Sequence, residues 1–317
     1  MIQSVVRADA TGGSIVPAGL RGELMFNEKL AKHTTWRVGG PADIFYTPAD
    51  KQDLSWFLRS MHGVMPVMWL GLGSNLLVRD GGIRGAIIET HGALNDLQRL
   101  SETEVWCDAG VPCAKLAKQC AKWKLGSAEF FAGIPGTLGG ALAMNAGAFG
   151  GETWRHVVEV ETINHRGELR RRVASDFQIA YRHVIGPHHE WFTGAQLSFA
   201  ERGDSLASGE AEIRSLLKRR KETQPIGESS CGSVFTNPPG HHAAKLIESA
   251  GLKGFCIGGA VVSTKHANFI INEGKATASD IEQLIEHVRA VVLEKFHVEL
   301  KPEVRIIGEH KDQESAS

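Results

Sequence analysis

Two glycine-rich turns, Gly71-Leu72-Gly73-Ser74-Asn75 and Gly133-Ile134-Pro135-Gly136-Thr137-Leu138-Gly139-Gly140, stand some sixty residues apart in this chain. Glycine admits backbone conformations closed to other residues and has no Cβ to hold a ligand off the chain. Successive N–H groups exposed in this way bind phosphate oxygens as a nest or a helix start does. Either turn alone reads most simply as a tight connection; as a pair they point to a pyrophosphate cradle. The first follows the apolar run Val67-Met68-Trp69-Leu70 and precedes Leu76-Leu77-Val78, so it is expected between two pieces of sheet. The second opens a small-residue helix, Leu138 to Met144. Neither is a G-x-G-x-x-G dinucleotide fingerprint, and no Gly-Lys-Ser or Gly-Lys-Thr follows to make a P-loop.

With 317 residues, 42% hydrophobic and 22% charged, the chain has material for two or three cored domains. Its formal charge of −1 offers no global field for nucleic acid or anionic membrane, so an anionic ligand must be met by local Arg and Lys. The five cysteines, Cys107, Cys113, Cys120, Cys231 and Cys256, form no C-x-x-C pair, which argues for a reducing compartment and against a disulfide scaffold or structural zinc. No signal peptide or membrane span is evident, and a cytosolic protein is expected.

The pattern predicts an α+β protein. Residues 1–26 are expected to be a loosely ordered extension, 27–205 an α+β nucleotide domain, 206–309 a smaller second domain, and 310–317 a tail. Strands are expected at Asp43 to Tyr46, Val67 to Leu70, Ala86 to Glu89, Thr103 to Cys107 and Trp191 to Phe199, with a hairpin from Val157 to Val173. Helices are expected from Asp50 to Met61 with Asp50 as N-cap, and from Pro112 to Lys124 with Gly126 as the stop. The Gly, Ser and Asp-rich stretch from Glu201 to Glu210 marks the boundary. After it come a charged helix (Ala211 to Lys221), a second (His242 to Ala250), a strand (Phe269 to Ile271), a long helix (Ser279 to Phe296) and a last strand (Val304 to Ile307). In the long helix Ile281, Leu284, Ile285, Val288, Val292 and Phe296 recur at helical spacing as a core stripe.

Three stretches look unlike packing. Ile179-Ala180-Tyr181-Arg182 ends an apolar, helix-like run on an arginine able to aim its fork at a carboxylate, though a surface charge is the commoner outcome. In Ser230-Cys231-Gly232-Ser233-Val234-Phe235-Thr236-Asn237-Pro238-Pro239-Gly240, Ser233 is either a turn residue or a proton donor to an adjacent carbon; a hydrolase elbow is excluded by the missing G-x-S-x-G. Pro302-Glu303-Val304 places a carboxylate at a strand start. His241, His242 and His266 do not have metal-ligand spacing.

Taken in order, Asn27-Glu28-x-Leu30, Thr34-Thr35-Trp36-Arg37-Val38-Gly39-Gly40-Pro41-Ala42, both glycine turns, Asn145-Ala146-Gly147-Ala148-Phe149-Gly150, Tyr181-Arg182, Gly232-Ser233-x-Phe235-x-Asn237-Pro238 and Pro302-Glu303-Val304 resemble the UDP-N-acetylenolpyruvoylglucosamine reductase family. The likeness runs from about Asn27 to Gly308.

The resemblance implies the pyrophosphate-loop FAD fold of the vanillyl-alcohol-oxidase type, with two α+β subdomains and a smaller α+β substrate domain. It implies NADPH-dependent, FAD-mediated reduction of UDP-N-acetylglucosamine enolpyruvate to UDP-N-acetylmuramate, a step of peptidoglycan, and hence cell-wall, synthesis. Its cofactor contacts map to Thr35, Trp36, Arg37 and Val38, to Gly71, Leu72, Gly73, Ser74 and Asn75, to Gly133, Ile134, Pro135, Gly136, Thr137 and Gly140, and to Asn145, Ala146 and Gly147. With Ser74 and Asn75 where some relatives carry a flavin-linking His or Cys, dissociable FAD is expected. Arg182 is implied to pair with the substrate carboxylate, Glu303 to stabilise the enolate and Ser233 to protonate carbon, with Tyr181, Lys221, Asn237, Lys245, His266 and Asn268 as substrate contacts. The only tyrosines are Tyr46 and Tyr181, so the chain resembles the compact form without a tyrosine-bearing loop. An FAD oxidase or dehydrogenase of the same fold acting on a sugar or alcohol is the alternative.

Overall fold

The strand Glu23–Lys29 runs antiparallel to Pro41–Thr47, which lies parallel to Ile83–Glu89, itself parallel to Val67–Leu70. The computed structural model describes residues 5–8, 14–17, 19–203 and 208–311. Helix α1 (Lys51–Met61), started by Asp50 accepting the Asp53 N–H, covers one face of this four-stranded sheet through Leu54, Phe57, Leu58 and Met61 against Ile44, Tyr46, Ala86 and Ile88. Phe45 and Ile87 point the other way, into a second cluster with Leu30, Leu70 and Val78. A sheet buried on both faces reads as a continuous apolar run, which is why these strands lack clean alternation.

A second sheet has the order Leu169–Arg172, Val157–Asn164, Glu190–Ser198, Glu104–Asp108, Leu97–Arg99, all antiparallel. Helix α2 (Cys113–Lys122) and helix α3 (Leu138–Met144) bury Cys113, Leu116, Cys120, Leu138 and Leu142 in its core. The stop of α2 is Lys124 at φ 59° rather than Gly126, which pairs with Ala200 in a short strand. The turn comes early because Leu125, only 1% exposed, must swing into the core.

Helix α4 (Gly209–Thr223) departs from the expected partition. It packs on this second subdomain, with Ile213 buried among α2 and Phe131, and Arg202 pairs with both Glu129 and Glu212 beside it. The unit that follows has its own core of α5 (Ala243–Ser249), α6 (Ala278–Phe296) and the antiparallel strands Cys256–Ile257, Ala260–Val262 and Ile270–Asn272. It therefore begins after α4, whereas the expected boundary at 205/206 lies outside the described residues. The core stripe of α6 is buried as expected, with Phe296 at its margin.

The extension expected over 1–26 is corrected in two places. Val5–Ala8 pairs antiparallel with Ser14–Pro17, and the first sheet takes its edge strand from Glu23 onward. Backbone pairing supplies the order that the sequence, lacking periodicity there, did not signal. At the other end, Arg305–Ile307 returns to pair parallel with Leu76–Val78, tying the third unit to the first. Most of the expected tail, 312–317, lies outside the described residues.

Trp36 bolts these units together. Fully buried in the third unit's core, it donates from Nε1 to the Ile270 carbonyl at 2.8 Å, and its own carbonyl accepts from Asn272 Nδ2 at 2.8 Å.

Candidate active site

The two glycine turns face each other. A Cβ on Gly71 would sit 2.5 Å from Thr137 Oγ1, and one on Gly136 would sit 3.3 Å from Ser74 Oγ. Gly73 needs its φ of 58°, and its α-carbon approaches the backbone so closely that a Cβ would meet the His33 carbonyl at 2.1 Å. The Thr35 N–H donates to the Gly73 carbonyl at 3.2 Å, so the Thr34-Thr35 segment holds the first turn from behind. The second is fixed by Cys113 N–H donating to the Gly136 carbonyl at 2.9 Å.

Between the turns and the third unit lies a cavity of about 350 Å³. Gly71 to Asn75, Gly133 to Thr137, Gly140, Ala146 and Gly147 line it, as do Arg182, Ser233 and Glu303. Three residues from three distant stretches thus meet at the place where the sequence put a cofactor.

Their positioning is traceable. Arg182 stands at the tip of a hairpin, Gln178–Ala180 with His183–Ile185, and has φ 54°. The expected helix-like run is therefore a β-hairpin; it is anchored by Asn145, whose Nδ2 donates to the Ala180 carbonyl at 3.2 Å while Oδ1 accepts from Trp154 N–H at 3.1 Å. Asn145 itself takes the left-handed conformation that ends α3, so it is buried support rather than cavity wall. Ser233 and Glu303 are joined through their neighbours, with Glu303 N–H donating to the Val234 carbonyl at 2.7 Å. Asn75 Nδ2 donates to the Glu303 carbonyl at 3.0 Å and fastens this pair to the first glycine turn.

Arg182 Nε lies 3.1 Å from Glu303 Oε1, an ion pair without an aligned hydrogen bond, and its terminal nitrogen donates to the Gly147 carbonyl at 3.0 Å. Burial raises the Glu303 pKa, and the Arg182 charge opposes that rise. Cys231, also on the cavity wall, has its thiol pushed well up by burial and then by Glu303, so it stays a neutral thiol.

Other residues singled out in the sequence lie off the wall. Trp36 and Val38 are buried in the core and Arg37 is exposed. Asn268 accepts from Phe235 N–H and donates to the Phe235 carbonyl, clamping the Ser233 loop from behind. Asn237 accepts from Ala243 N–H and so starts α5. His266 packs edge-on against Phe269, with burial lowering its pKa and Nδ1 left without a partner. Lys221 and Lys245 are exposed, and Tyr181 is 55% exposed beside Arg182. Among the wall residues that the sequence did not single out for the site are Phe149, Arg220, Gln224 and Arg305. The run Lys218-Arg219-Arg220-Lys221 carries a signal for one of them, since a helix turns about 100° per residue and aims each cation differently.

Thr137 Oγ1 is buried at the meeting point of the two turns without a hydrogen-bond partner. An orphaned donor beside two Cβ-free turns suits phosphate oxygens, so these residues fit the FAD that the fold implies. Among the described residues no group of His, Cys, Asp and Glu is placed to hold a metal ion, and no helix is long and apolar enough to cross a membrane.

Residues 42–172 match the model of an FAD binding domain, and residues 224–307 match that of the C-terminal domain of UDP-N-acetylenolpyruvoylglucosamine reductase. The second match begins just after α4, where the third unit's core begins. A protein of Alkalilimnicola ehrlichii named UDP-N-acetylenolpyruvoylglucosamine reductase is 57% identical over 288 residues, covering 91% of this chain and 96% of its own. One of the same name from Methylococcus capsulatus is 55% identical, covering 91% and 94%. The crystal structure of the reductase from Thermus caldophilus superposes with a TM-score of 0.75 at 31% identity, over 90% of this chain and 99% of that one. With its paired glycine turns in a pyrophosphate-loop FAD fold, this chain is an FAD-dependent oxidoreductase and belongs to the UDP-N-acetylenolpyruvoylglucosamine reductase family.

Proposed function

We propose that the protein reduces UDP-N-acetylglucosamine enolpyruvate to UDP-N-acetylmuramate in the cytoplasm, with NADPH as hydride donor, in peptidoglycan precursor synthesis. The observation that carries this reading is the convergence of Arg182, Ser233 and Glu303 on the cavity lined by both glycine turns. The chemistry that FAD supplies when bound is two-electron transfer, taking hydride from NADPH and giving it to the terminal enolpyruvyl carbon. Ser74 and Asn75 in the first turn, and a Cys231 thiol that burial keeps neutral, support dissociable FAD.

Adding hydride to an enol ether leaves negative charge on the neighbouring carbon and its carboxylate, and that charge has to be stabilised. Arg182, which leaves Glu303 for an incoming carboxylate, holds the substrate by that group. Glu303, taking up a proton as burial favours once Arg182 has turned to the substrate, donates a hydrogen bond to the enolate oxygen. Ser233 Oγ delivers a proton to the carbon next to the one that received hydride, completing addition of two hydrogens across the double bond.

The test is stoichiometry. Consumption of NADPH that depends on the enolpyruvyl substrate and yields one UDP-N-acetylmuramate per NADPH is expected. Rapid oxygen consumption with a sugar or alcohol, and none of this product, would replace the reading with an oxidase of the same fold.

A further inference from the structure

Arg220 enters the cavity wall from the last turn of α4. Of the four successive cations there, Lys218, Arg219 and Lys221 are exposed and only Arg220 turns inward. Its Nε donates to Gln224 Oε1 at 2.8 Å, and Gln224 is itself on the wall. That bond sets the plane of the guanidinium; among the described residues its two terminal nitrogens have no partner.

Other inward-facing arginines meet carboxylates: Arg79 meets Glu282 at 2.8 Å, Arg172 meets Glu190 at 2.6 Å and Arg182 meets Glu303 at 3.1 Å. Arg220 has no carboxylate within ion-pair distance among the described residues, and burial lowers its pKa with no charge to offset it. Arginine does not escape such a position by losing its proton. A half-buried cation with its fork aimed into a cavity calls for an anion from outside the chain. The substrate carboxylate is already matched to Arg182, and the anions that remain are diphosphates.

We propose that Arg220, oriented by Gln224, is the counter-ion of a nucleotide diphosphate bound in this cavity. The proposal rests on the functional reading above, which brings such groups on FAD, on the UDP-sugar and on NADPH; of these the diphosphate of FAD and that of the UDP-sugar are the ones proposed for Arg220. A planar fork matches phosphate oxygens two at a time, which explains why a glutamine holds Nε and leaves the outer nitrogens open.

Two dissociation constants test it. Oxidised holoenzyme without NADPH binds UDP-N-acetylglucosamine enolpyruvate without turnover, read from the flavin absorbance, and FAD is titrated into apoprotein. Arg220→Gln is expected to weaken one of these by roughly 10- to 100-fold, as loss of a charge-assisted contact does, and Lys218→Gln neither. Weakening of the UDP-sugar alone assigns Arg220 to the substrate; weakening of FAD alone assigns it to the cofactor. Both constants unchanged overturns the proposal. Gln224→Ala, expected to weaken the same constant by less, carries the test should Arg220→Gln not fold. Wild-type protein that binds FAD but ignores the UDP-sugar overturns the substrate reading instead, and the FAD constant then decides the role of Arg220.

Discussion

The side chains of Arg182 and Glu303, more than a hundred residues apart in the chain, face each other at 3.1 Å on the wall of the cavity. Each keeps the other in the state the proposed reaction has to change. Arg182 must release Glu303 to take the substrate carboxylate, and Glu303, relieved of that cation, becomes harder to ionise. Substrate binding is therefore expected to draw in a proton. Calorimetric titrations of the oxidised enzyme in buffers of different ionisation enthalpy should show the uptake, and Glu303→Gln should abolish it.

The same carboxyl sets a pH dependence. Burial raises its folded-state pKa from the ordinary value, against the opposing charge of Arg182. The protonated form, and with it turnover, is present below that pKa and lost as pH rises through it. The stability that Glu303 contributes follows the same direction, full below its unfolded pKa and lost as pH rises through the folded one. Glu303→Gln should flatten the upper limb of the kcat profile and gain thermal stability relative to wild type with rising pH. A wild-type limb persisting in the variant contradicts this.

Ser233→Ala is expected to lower kcat by about 10²–10⁴, the usual worth of a positioned proton donor. Bleaching of the flavin by NADPH should proceed at the wild-type rate, because Ser233 is assigned to the second half-reaction only. An equal loss in both halves would point to a damaged cavity.

Asn145 separates backbone from side chain. Its φ of 46° suits glycine, so Asn145→Gly keeps the turn and removes the hydrogen bonds to Ala180 and Trp154. A loss of about 1–3 kcal/mol is expected from those buried groups, read from denaturant melts. Through the loosened hairpin, KM for the enolpyruvyl substrate should rise.

Gly71→Ala puts a methyl 2.5 Å from Thr137 Oγ1, between the two turns. The expected result is a folded protein that purifies with little flavin; full yellow colour would show that the turns are not the cofactor's cradle.

The glycine turns were legible because their composition admits few uses, and α1 and α6 because caps and stripes mark them. Arg182 was legible as a residue but not in its setting: the apolar residues before it read as helical, while the structure spends them on a hairpin that Asn145 holds from outside the segment. Arg220 was hidden among three neighbouring cations, because a helix's rotation about its axis is fixed by packing, here by Ile213 against the second subdomain. The boundary near 205 followed composition, whereas α4 follows its buried contacts. Asn237 stands in a matching motif and Asn268 beyond one, yet the first accepts from Ala243 N–H to start α5 and the second holds the Ser233 loop through Phe235.

The central claim is that one cavity serves both halves of a hydride relay. Without oxygen, NADPH should bleach the flavin's visible absorbance, and UDP-N-acetylglucosamine enolpyruvate added next should restore it promptly with UDP-N-acetylmuramate as product. Bleaching that the substrate does not reverse would contradict the account.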